Sequence, residues 1–159
     1  MKLVYHELEP VFDSHSKVLI LGSLPSVKSR EEGFYYMHPQ NRFWKVLEII
    51  FKEKIDHKKE FCLKHHIALW DTISSCEIKN SSDQSITRVR VNDLSVILNQ
   101  ADIKVIITTG KKAHEIYQKY LYPIYKIEDV NLPSTSSANA LYSLERLARE
   151  YQVLLKYLA

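Results

Sequence analysis

Short apolar segments alternate with longer helical patterns along this sequence, and the alternation leaves few folds open to it. Strands are predicted at residues 17–23, 67–71, 103–109 and 127–132. Helices are predicted at residues 41–51, 58–66, 92–100, 111–121 and 138–158. Strands that alternate with helices in this way predict an α/β sandwich built on a mostly parallel sheet.

The segments between these elements are predicted to be loops, including the long stretches 24–40 and 75–86. Ligands bind at the carboxyl ends of the strands in open sheets of this kind. Four loops follow predicted strands: 23–41, 71–87, 109–111 and 133–138. We therefore expect these loops to meet at one rim and to carry the functional site. A chain of 159 residues can hold one full core, so residues 1–159 are expected to form a single domain.

Composition restricts the possible partners and the cellular compartment only weakly. The formal net charge of +3 and the pI of about 8.7 permit a phosphate-bearing partner without requiring one. Cys62 and Cys76 are too few for a disulfide framework and are expected to be reduced and buried. No zinc-ligand spacing, apolar leader or membrane-spanning run is evident, so we expect a soluble cytoplasmic protein without a metal. The glycosylation-type triplet at 80–82 is interpreted as chance.

The stretch VLILGSLPSVKS, residues 18–29, raises the possibility of a phosphate-binding loop, because a strand and a glycine precede Lys28-Ser29. Such a loop needs glycine directly before the lysine, and that position holds Val27. Pro25 also lacks the backbone N–H that a phosphate cradle uses. A nucleoside triphosphatase is therefore disfavoured, although it stays open as an alternative.

A longer resemblance lies further along the chain. The segments FYYMHPQNRFWKV (34–46) and NLPSTSSAN (131–139) resemble two motifs of the uracil-DNA glycosylase superfamily, and they occur in the same order. Gly110-Lys111-Lys112-Ala113 resembles the strand–GKxA–helix turn of that superfamily. The resemblance spans nearly the whole chain. It implies a three-layer α/β sandwich around a central, mostly parallel four-stranded sheet.

Within the superfamily, the chain is most similar to the hypoxanthine (deoxyinosine) DNA glycosylase branch. Leu24 stands where the mismatch-specific branch has its catalytic asparagine, and the hypoxanthine branch lacks that asparagine too. The resemblance implies a monofunctional glycosylase that removes a deaminated base from double- or single-stranded DNA in base excision repair. It also implies a monomer that needs no cofactor and works in the cytoplasm, at the nucleoid of a prokaryote. The alternatives are a uracil or mismatch-specific glycosylase, or a non-catalytic nucleic-acid-binding module.

The resemblance also implies roles for individual residues. Asn41 would be catalytic, holding a water molecule by its side-chain carbonyl while its N–H₂ group rests on the backbone. Judged from the residues alone, a helix N-cap is the favoured role of Asn41, and it is the resemblance that favours the catalytic role. Tyr36 would stack on the extruded base, and backbone groups of Ser23 and Leu24 would read the base edge. His38 is placed in the base pocket, as a hydrogen-bonded structural residue rather than an acid.

The serine-rich stretch at 133–137 is expected to bind the DNA backbone at a helix N-terminus. Its members and one nearby lysine form the predicted DNA-binding set: Pro133, Ser134, Thr135, Ser136, Ser137 and Lys111. Other basic residues are candidate phosphate neighbours: Lys28, Arg42, Arg88, Arg90 and Lys112. In the mismatch-specific branch a leucine of this loop fills the space that the base leaves, and the aligned residue here is Ser136. Asp71, which follows a short strand, is a minor candidate for the site.

Overall fold

The structure is a computed structural model that describes residues 2–79 and 83–159. The glycosylation-type triplet at 80–82 lies outside the described residues. The strands are β1 (Lys2–Tyr5), β2 (Val18–Gly22), β3 (Ile67–Asp71), β4 (Ile73–Ile78), β5 (Thr87–Val91), β6 (Val105–Thr109) and β7 (Asp129–Leu132). The helices are α1 (Val27–Glu32), α2 (Phe43–Phe51), α3 (Lys58–Lys64), α4 (Ser95–Leu98), α5 (Lys111–Ile116), α6 (Tyr122–Tyr125), α7 (Leu144–Tyr151) and α8 (Val153–Leu158). A π-helical segment, Tyr117–Leu121, joins α5 to α6.

A four-stranded parallel sheet forms the centre of the fold, in the strand order β3–β2–β6–β7. Every residue of β2 and β3 is buried, and in β6 only Thr109 is partly exposed, as expected for strands covered on both faces. The register aligns Gly22 with Asp71 and Leu21 with Thr108 at the carboxyl ends of the strands. The predicted central parallel sheet is therefore confirmed.

Helices cover both faces of this sheet. The chain moves from β2 to β3 in one direction along the sheet and from β6 to β7 in the other. Because such crossovers are right-handed, α2 and α3 lie on one face and α5 on the opposite face. The C-terminal helix α7 packs on α2, and α8 contacts β2. No helix within residues 2–79 and 83–159 is long and apolar enough to cross a membrane.

A second, antiparallel sheet in the order β1–β4–β5 was not predicted, and the loop predicted over 75–86 is wrong for residues 75–78, which belong to β4. Serines and a glutamate give β4 no apolar run, and the strand is defined by its pairing with β1 and β5 on its two sides. A small apolar cluster supports this sheet, and its buried members are Ile73, Cys76, Ile86 and Ile116. Cys62 and Cys76 are both buried, as expected.

Two helix boundaries differ from the predictions. The predicted loop over 24–40 contains α1, whose N-terminus is capped by the Ser26 hydroxyl and which ends at Gly33 with a φ of 75°. The helix predicted over 138–158 is divided into α7 and α8, and it begins at Leu144 rather than Ala138, because Ser143 caps α7 by accepting from the Arg146 N–H.

The predicted helix over 92–100 is reduced to α4, which begins at Ser95. Asn92 does not cap it, because its side-chain amide donates to the carbonyls of Asp71 and Ile73 and so braces the end of β3.

Candidate active site

A cleft of about 1180 Å³ opens at the carboxyl ends of β2 and β6. After β2 the chain crosses to β3 at one edge of the sheet, and after β6 it crosses to β7 at the opposite edge. The cleft therefore lies at the topological switch point, where open α/β sheets bind ligands. All four predicted loops contribute to its lining, which confirms that they meet at one rim. The predicted site residues that line the cleft are Ser23, Leu24, Tyr36, His38, Asn41, Lys111, Ser134, Thr135, Ser136 and Ser137. Pro133 does not line it.

Asn41 lies directly before α2, and its side-chain carbonyl is already occupied by two donors. The backbone N–H of Phe43 donates to Asn41 Oδ1 at 2.9 Å, and the Thr135 hydroxyl donates to the same oxygen at 2.8 Å. A backbone N–H can only donate, so the atom that faces it must be the oxygen. The predicted arrangement, with the carbonyl holding water and the N–H₂ on the backbone, is therefore reversed. Within residues 2–79 and 83–159, the N–H₂ group of Asn41 has no hydrogen-bond acceptor.

Tyr36 forms part of one wall of the cleft, in a backbone conformation that is unusual for tyrosine. Its φ is 56°, in the left-handed region, and its ring stacks on Phe43 with centroids 3.9 Å apart and planes at 14°. Its hydroxyl lies 3.5 Å from the Thr109 hydroxyl. Burial, followed by the nearby negative charge of Asp71, raises the pKa of Tyr36, so the phenol stays protonated.

Asp71 brings a buried carboxylate to the edge of the cleft. It is 3% exposed, and its Oδ2 lies 2.8 Å from Nε2 of His6, whose side chain is also buried. Its Oδ1 occupies the space beside Gly22, where an added Cβ would lie only 2.5 Å from that oxygen. Gly22 is thus required because a carboxylate and the Tyr36 hydroxyl approach its backbone. Asp71 was a minor candidate from the sequence, and His6 was not predicted.

Arg42, which follows Asn41, holds the serine-rich loop through backbone carbonyls. Its guanidinium donates to the carbonyls of Ser136 at 2.8 Å, Asn139 at 3.1 Å and Thr135 at 3.3 Å, and also to that of Tyr142. Its role as a candidate phosphate neighbour is therefore wrong, because these internal acceptors already use the donors of the guanidinium.

The serine-rich loop is also braced from within. The Ser134 hydroxyl accepts from the Ser136 N–H, and the Asn139 side chain donates to the Ser134 carbonyl. The Tyr151 hydroxyl donates to the Pro133 carbonyl at 2.6 Å and anchors the start of the loop. Because α7 begins only at Leu144, no helix N-terminus follows this loop directly, and the predicted helix-dipole contribution to phosphate binding there is wrong.

Comparison with known proteins identifies the family. Residues 9–159 match the sequence model of the Uracil DNA glycosylase superfamily. The chain belongs to this superfamily. Two relatives are named hypoxanthine DNA glycosylase. The one from Methanosarcina barkeri is 32% identical over 136 residues, which cover 82% of this chain and 85% of the relative. The one from Methanosarcina acetivorans is 34% identical over 142 residues, which cover 86% and 89%.

A solved structure extends the superfamily likeness to the whole fold. A solution NMR structure from Methanosarcina acetivorans, described as a candidate uracil DNA glycosylase, is 28% identical to this chain. The two structures superpose with a TM-score of 0.79, covering 97% of this chain and 99% of the other. The predicted fold, a uracil-DNA glycosylase-like α/β sandwich, is confirmed.

In this member of the superfamily, the residues that suggested a phosphate-binding loop have structural roles. Lys28 and Ser29 lie inside α1, and Lys28 pairs with Glu32 at 3.1 Å. Ser29 is buried, and its hydroxyl accepts from the N–H of Met37, so it fixes the loop that leads to Tyr36. The Ser29 N–H donates to the Ser26 hydroxyl at 3.1 Å, and Pro25 has no N–H, so the segment around Lys28 lacks the successive free donors of a phosphate cradle.

Two other residues predicted to lie in the base pocket, Ser23 and His38, already form hydrogen bonds within the protein. The carbonyl of Ser23 accepts from the N–H of Ile73 at 3.1 Å, which commits it to the start of β4. The exposed His38 accepts from the Gln40 N–H at its Nδ1, so the neutral ring carries its proton on Nε2. This bond agrees with the expected hydrogen-bonded histidine.

Two lysines, of which Lys111 is exposed and Lys112 partly exposed, lie at the mouth of the cleft in this superfamily member. Lys111 and Lys112 line it at the start of α5, and Lys111 is 4.0 Å from Glu115. Arg88, on β5, pairs instead with Glu77 at 3.3 Å.

Proposed function

We propose that this chain is a monofunctional DNA glycosylase that hydrolyses the N-glycosidic bond of a deaminated base, with hypoxanthine preferred over uracil or xanthine. Membership of the uracil DNA glycosylase superfamily and the names of the two relatives support the reaction class and the preferred base. Residues 1–159 would act as one domain and as a monomer on damaged DNA in the cytoplasm. The observation that carries the proposal is the Asn41 amide, fixed by two donors at the wall of the cleft.

Asn41 acts as a hydrogen-bond donor. Glycosidic hydrolysis passes through an oxocarbenium-like transition state, in which the departing base gains negative charge. The Asn41 N–H₂ group has no acceptor within residues 2–79 and 83–159, so it is free to donate to that base. A donor that is already fixed in place stabilises developing charge without reorganisation during the reaction. This role requires no carboxylate in the loop that follows β2.

The other side chains bind the substrate around this donor. Tyr36 presents a flat ring, backed by Phe43, against which an extruded base can stack. Ser134, Ser136 and Ser137 lie on the loop held by Arg42 and contact the DNA backbone, with Lys111 at the mouth of the cleft. Leu24 contributes its backbone to the base pocket, and Ser23 lies beside it. The exposed His38 contributes the Nε2–H donor at the rim.

The test is base release from duplex oligonucleotides that contain deoxyinosine, deoxyuridine or deoxyxanthosine, measured as alkali-labile sites under enzyme excess. Hypoxanthine should be released fastest. Asn41→Ala should lower the single-turnover rate about 100- to 1,000-fold, the usual effect of losing one fixed donor to a developing anion.

Asn99→Ala is the matched control, because Asn99 is an exposed asparagine at the end of α4, far from the cleft lining. It should leave the rate unchanged. Salt-dependent DNA binding with no release of any base would instead favour a non-catalytic binding module. An unchanged rate for Asn41→Ala would remove Asn41 from the mechanism.

A further inference from the structure

We propose that Thr135 is the positioning residue for the Asn41 amide, and that it links the serine-rich loop to the catalytic step. The inference rests on the proposed glycosylase activity and on the role of Asn41 in it. It assigns Thr135 a function different from the DNA contact predicted from the sequence.

The burial of Thr135 separates it from its neighbours in the loop. Its side chain and backbone are 2% exposed, whereas Ser134 and Ser136 are partly exposed and Ser137 is exposed. A residue with so little free surface has little to offer a DNA strand. Its hydroxyl is instead directed at a protein acceptor, Oδ1 of Asn41, at 2.8 Å.

The bond from Thr135 fixes which face of the Asn41 amide is available. Oδ1 accepts from Thr135 on one side and from the Phe43 N–H on the other. Rotating the amide by half a turn would place the N–H₂ group against the Phe43 N–H, a contact between two donors, and would break both bonds. If the Thr135 hydroxyl is removed, only the Phe43 N–H opposes that rotation, and the donor is less often aligned with the departing base.

The backbone of Thr135 is fixed by the residue that follows Asn41. The Thr135 carbonyl accepts from the Arg42 N–H at 3.0 Å and from the Arg42 Nε at 3.3 Å. Two segments that are 94 residues apart in sequence are thus joined at Asn41 and Arg42 by three hydrogen bonds to a single threonine. A DNA backbone bound on the serine-rich loop would therefore act directly on the segment that holds the catalytic amide.

The experiment compares Thr135→Val, which keeps the shape and removes the hydroxyl, with Thr135→Ser, which keeps the hydroxyl. Single-turnover rates at saturating enzyme and dissociation constants are measured on a duplex that contains deoxyinosine. Thr135→Val should lower the rate about tenfold, the effect of losing one hydrogen bond in the transition state, with the dissociation constant changed less than about twofold. Thr135→Ser should restore the rate to within about threefold of the wild type.

Thr108→Val is the matched control, because Thr108 is another buried threonine whose hydroxyl donates to a side-chain oxygen, here that of the Asp129 carboxylate rather than an amide. It should lower the melting temperature without a comparable loss of rate. A wild-type rate for Thr135→Val, or an equal loss for Thr135→Ser, would overturn the positioning role. A loss confined to the dissociation constant would also overturn it and would restore Thr135 as a DNA contact.

A second measurement separates this inference from the proposed function. The side-chain amide signals of Asn41 are assigned in a ¹H–¹⁵N spectrum by their disappearance in Asn41→Asp. In Thr135→Val they should shift toward those of a free amide, and in Thr135→Ser they should stay near their wild-type positions. If the wild type releases no base, the proposed function fails, and these signals still decide whether Thr135 orients Asn41. Unshifted signals in Thr135→Val would refute the positioning role.

Discussion

Arg42 offers the sharpest test of how the site is held together. Its guanidinium donates to four carbonyls of the loop between β7 and α7, those of Thr135, Ser136, Asn139 and Tyr142. Arg42→Met keeps most of the aliphatic stem and removes every donor. Arg42→Lys keeps the charge but replaces a planar fork with a single ammonium group, which cannot reach all four acceptors at once.

The structure allows the size of the effect to be estimated. A hydrogen bond to a charged group contributes about 1.5–3 kcal/mol, but partly exposed carbonyls regain water once the guanidinium is gone. With one or two of the four bonds counted at full value, Arg42→Met should destabilise the protein by about 2–4 kcal/mol. In a domain of this size, 1 kcal/mol corresponds to about 2–4 °C in melting temperature, so a decrease of about 5–15 °C is expected.

The assay is thermal unfolding followed by circular dichroism, with Arg149→Met as the matched control. Arg149 is an exposed arginine on α7, and the described part of the chain supplies no partner for its side chain, so its substitution should leave the melting temperature unchanged. Arg42→Lys should lie between Arg42→Met and the wild type. If Arg42→Met melts within about 2 °C of the control, the guanidinium contributes little to the loop, and the reasoning from its hydrogen bonds is refuted.

Three other substitutions test separate parts of the structure. Gly22→Ala should destabilise the fold by about 1–3 kcal/mol and lower the rate of base release, because the new methyl group displaces the Asp71 carboxylate; a neutral effect on both would contradict this placement. Burial opposes ionisation of Asp129, yet its three hydrogen-bond donors hold its pKa below the usual value, so its contribution to stability is complete above about pH 4 and is lost as pH falls through the lowered pKa. Asp129→Asn should therefore be less stable than the wild type at pH 6, and chemical denaturation should show the difference closing toward pH 2. Leu141 is 83% exposed on the loop that follows the serines, so Leu141→Ala should leave the melting temperature unchanged while slowing base release from duplex more than from single-stranded DNA, as a wedge residue would.

The sequence predicted the central sheet well because its strands are buried on both faces and read as apolar runs. The residues of β2 and β3 are recognisable without any knowledge of their partners. The antiparallel sheet is different, since β4 contains Ser74, Ser75 and Glu77 and is defined by its pairing with β1 and β5. Local pattern carries no information about that pairing.

The site was predictable to the extent that its residues stand in motifs. The motifs predicted that Tyr36, Asn41 and the serine-rich loop would share one site, and all three contribute to the lining of the cleft. His6 could not be found in this way, because it reaches Asp71 only through the register of β1 on β4. The hydrogen bonds from Arg42 to the serine-rich loop could not be predicted either, since their acceptors are backbone carbonyls, which any residue can provide.

Asn41 shows why a structural and a catalytic interpretation of one residue need not compete. From the sequence, a helix cap and a catalytic amide were alternatives. In the structure the N-cap of α2 is Arg42, and the local contact and the proposed role of Asn41 fall on different atoms: Oδ1 accepts from the N–H of Phe43 at the start of α2, and the N–H₂ group is the proposed donor. The Phe43 N–H and the Thr135 hydroxyl fix the oxygen and thereby orient the nitrogen, so the start of the helix contributes to the preorganisation that the proposed donor requires. A side chain with a single polar atom, such as serine, could cap the helix but could not perform both functions.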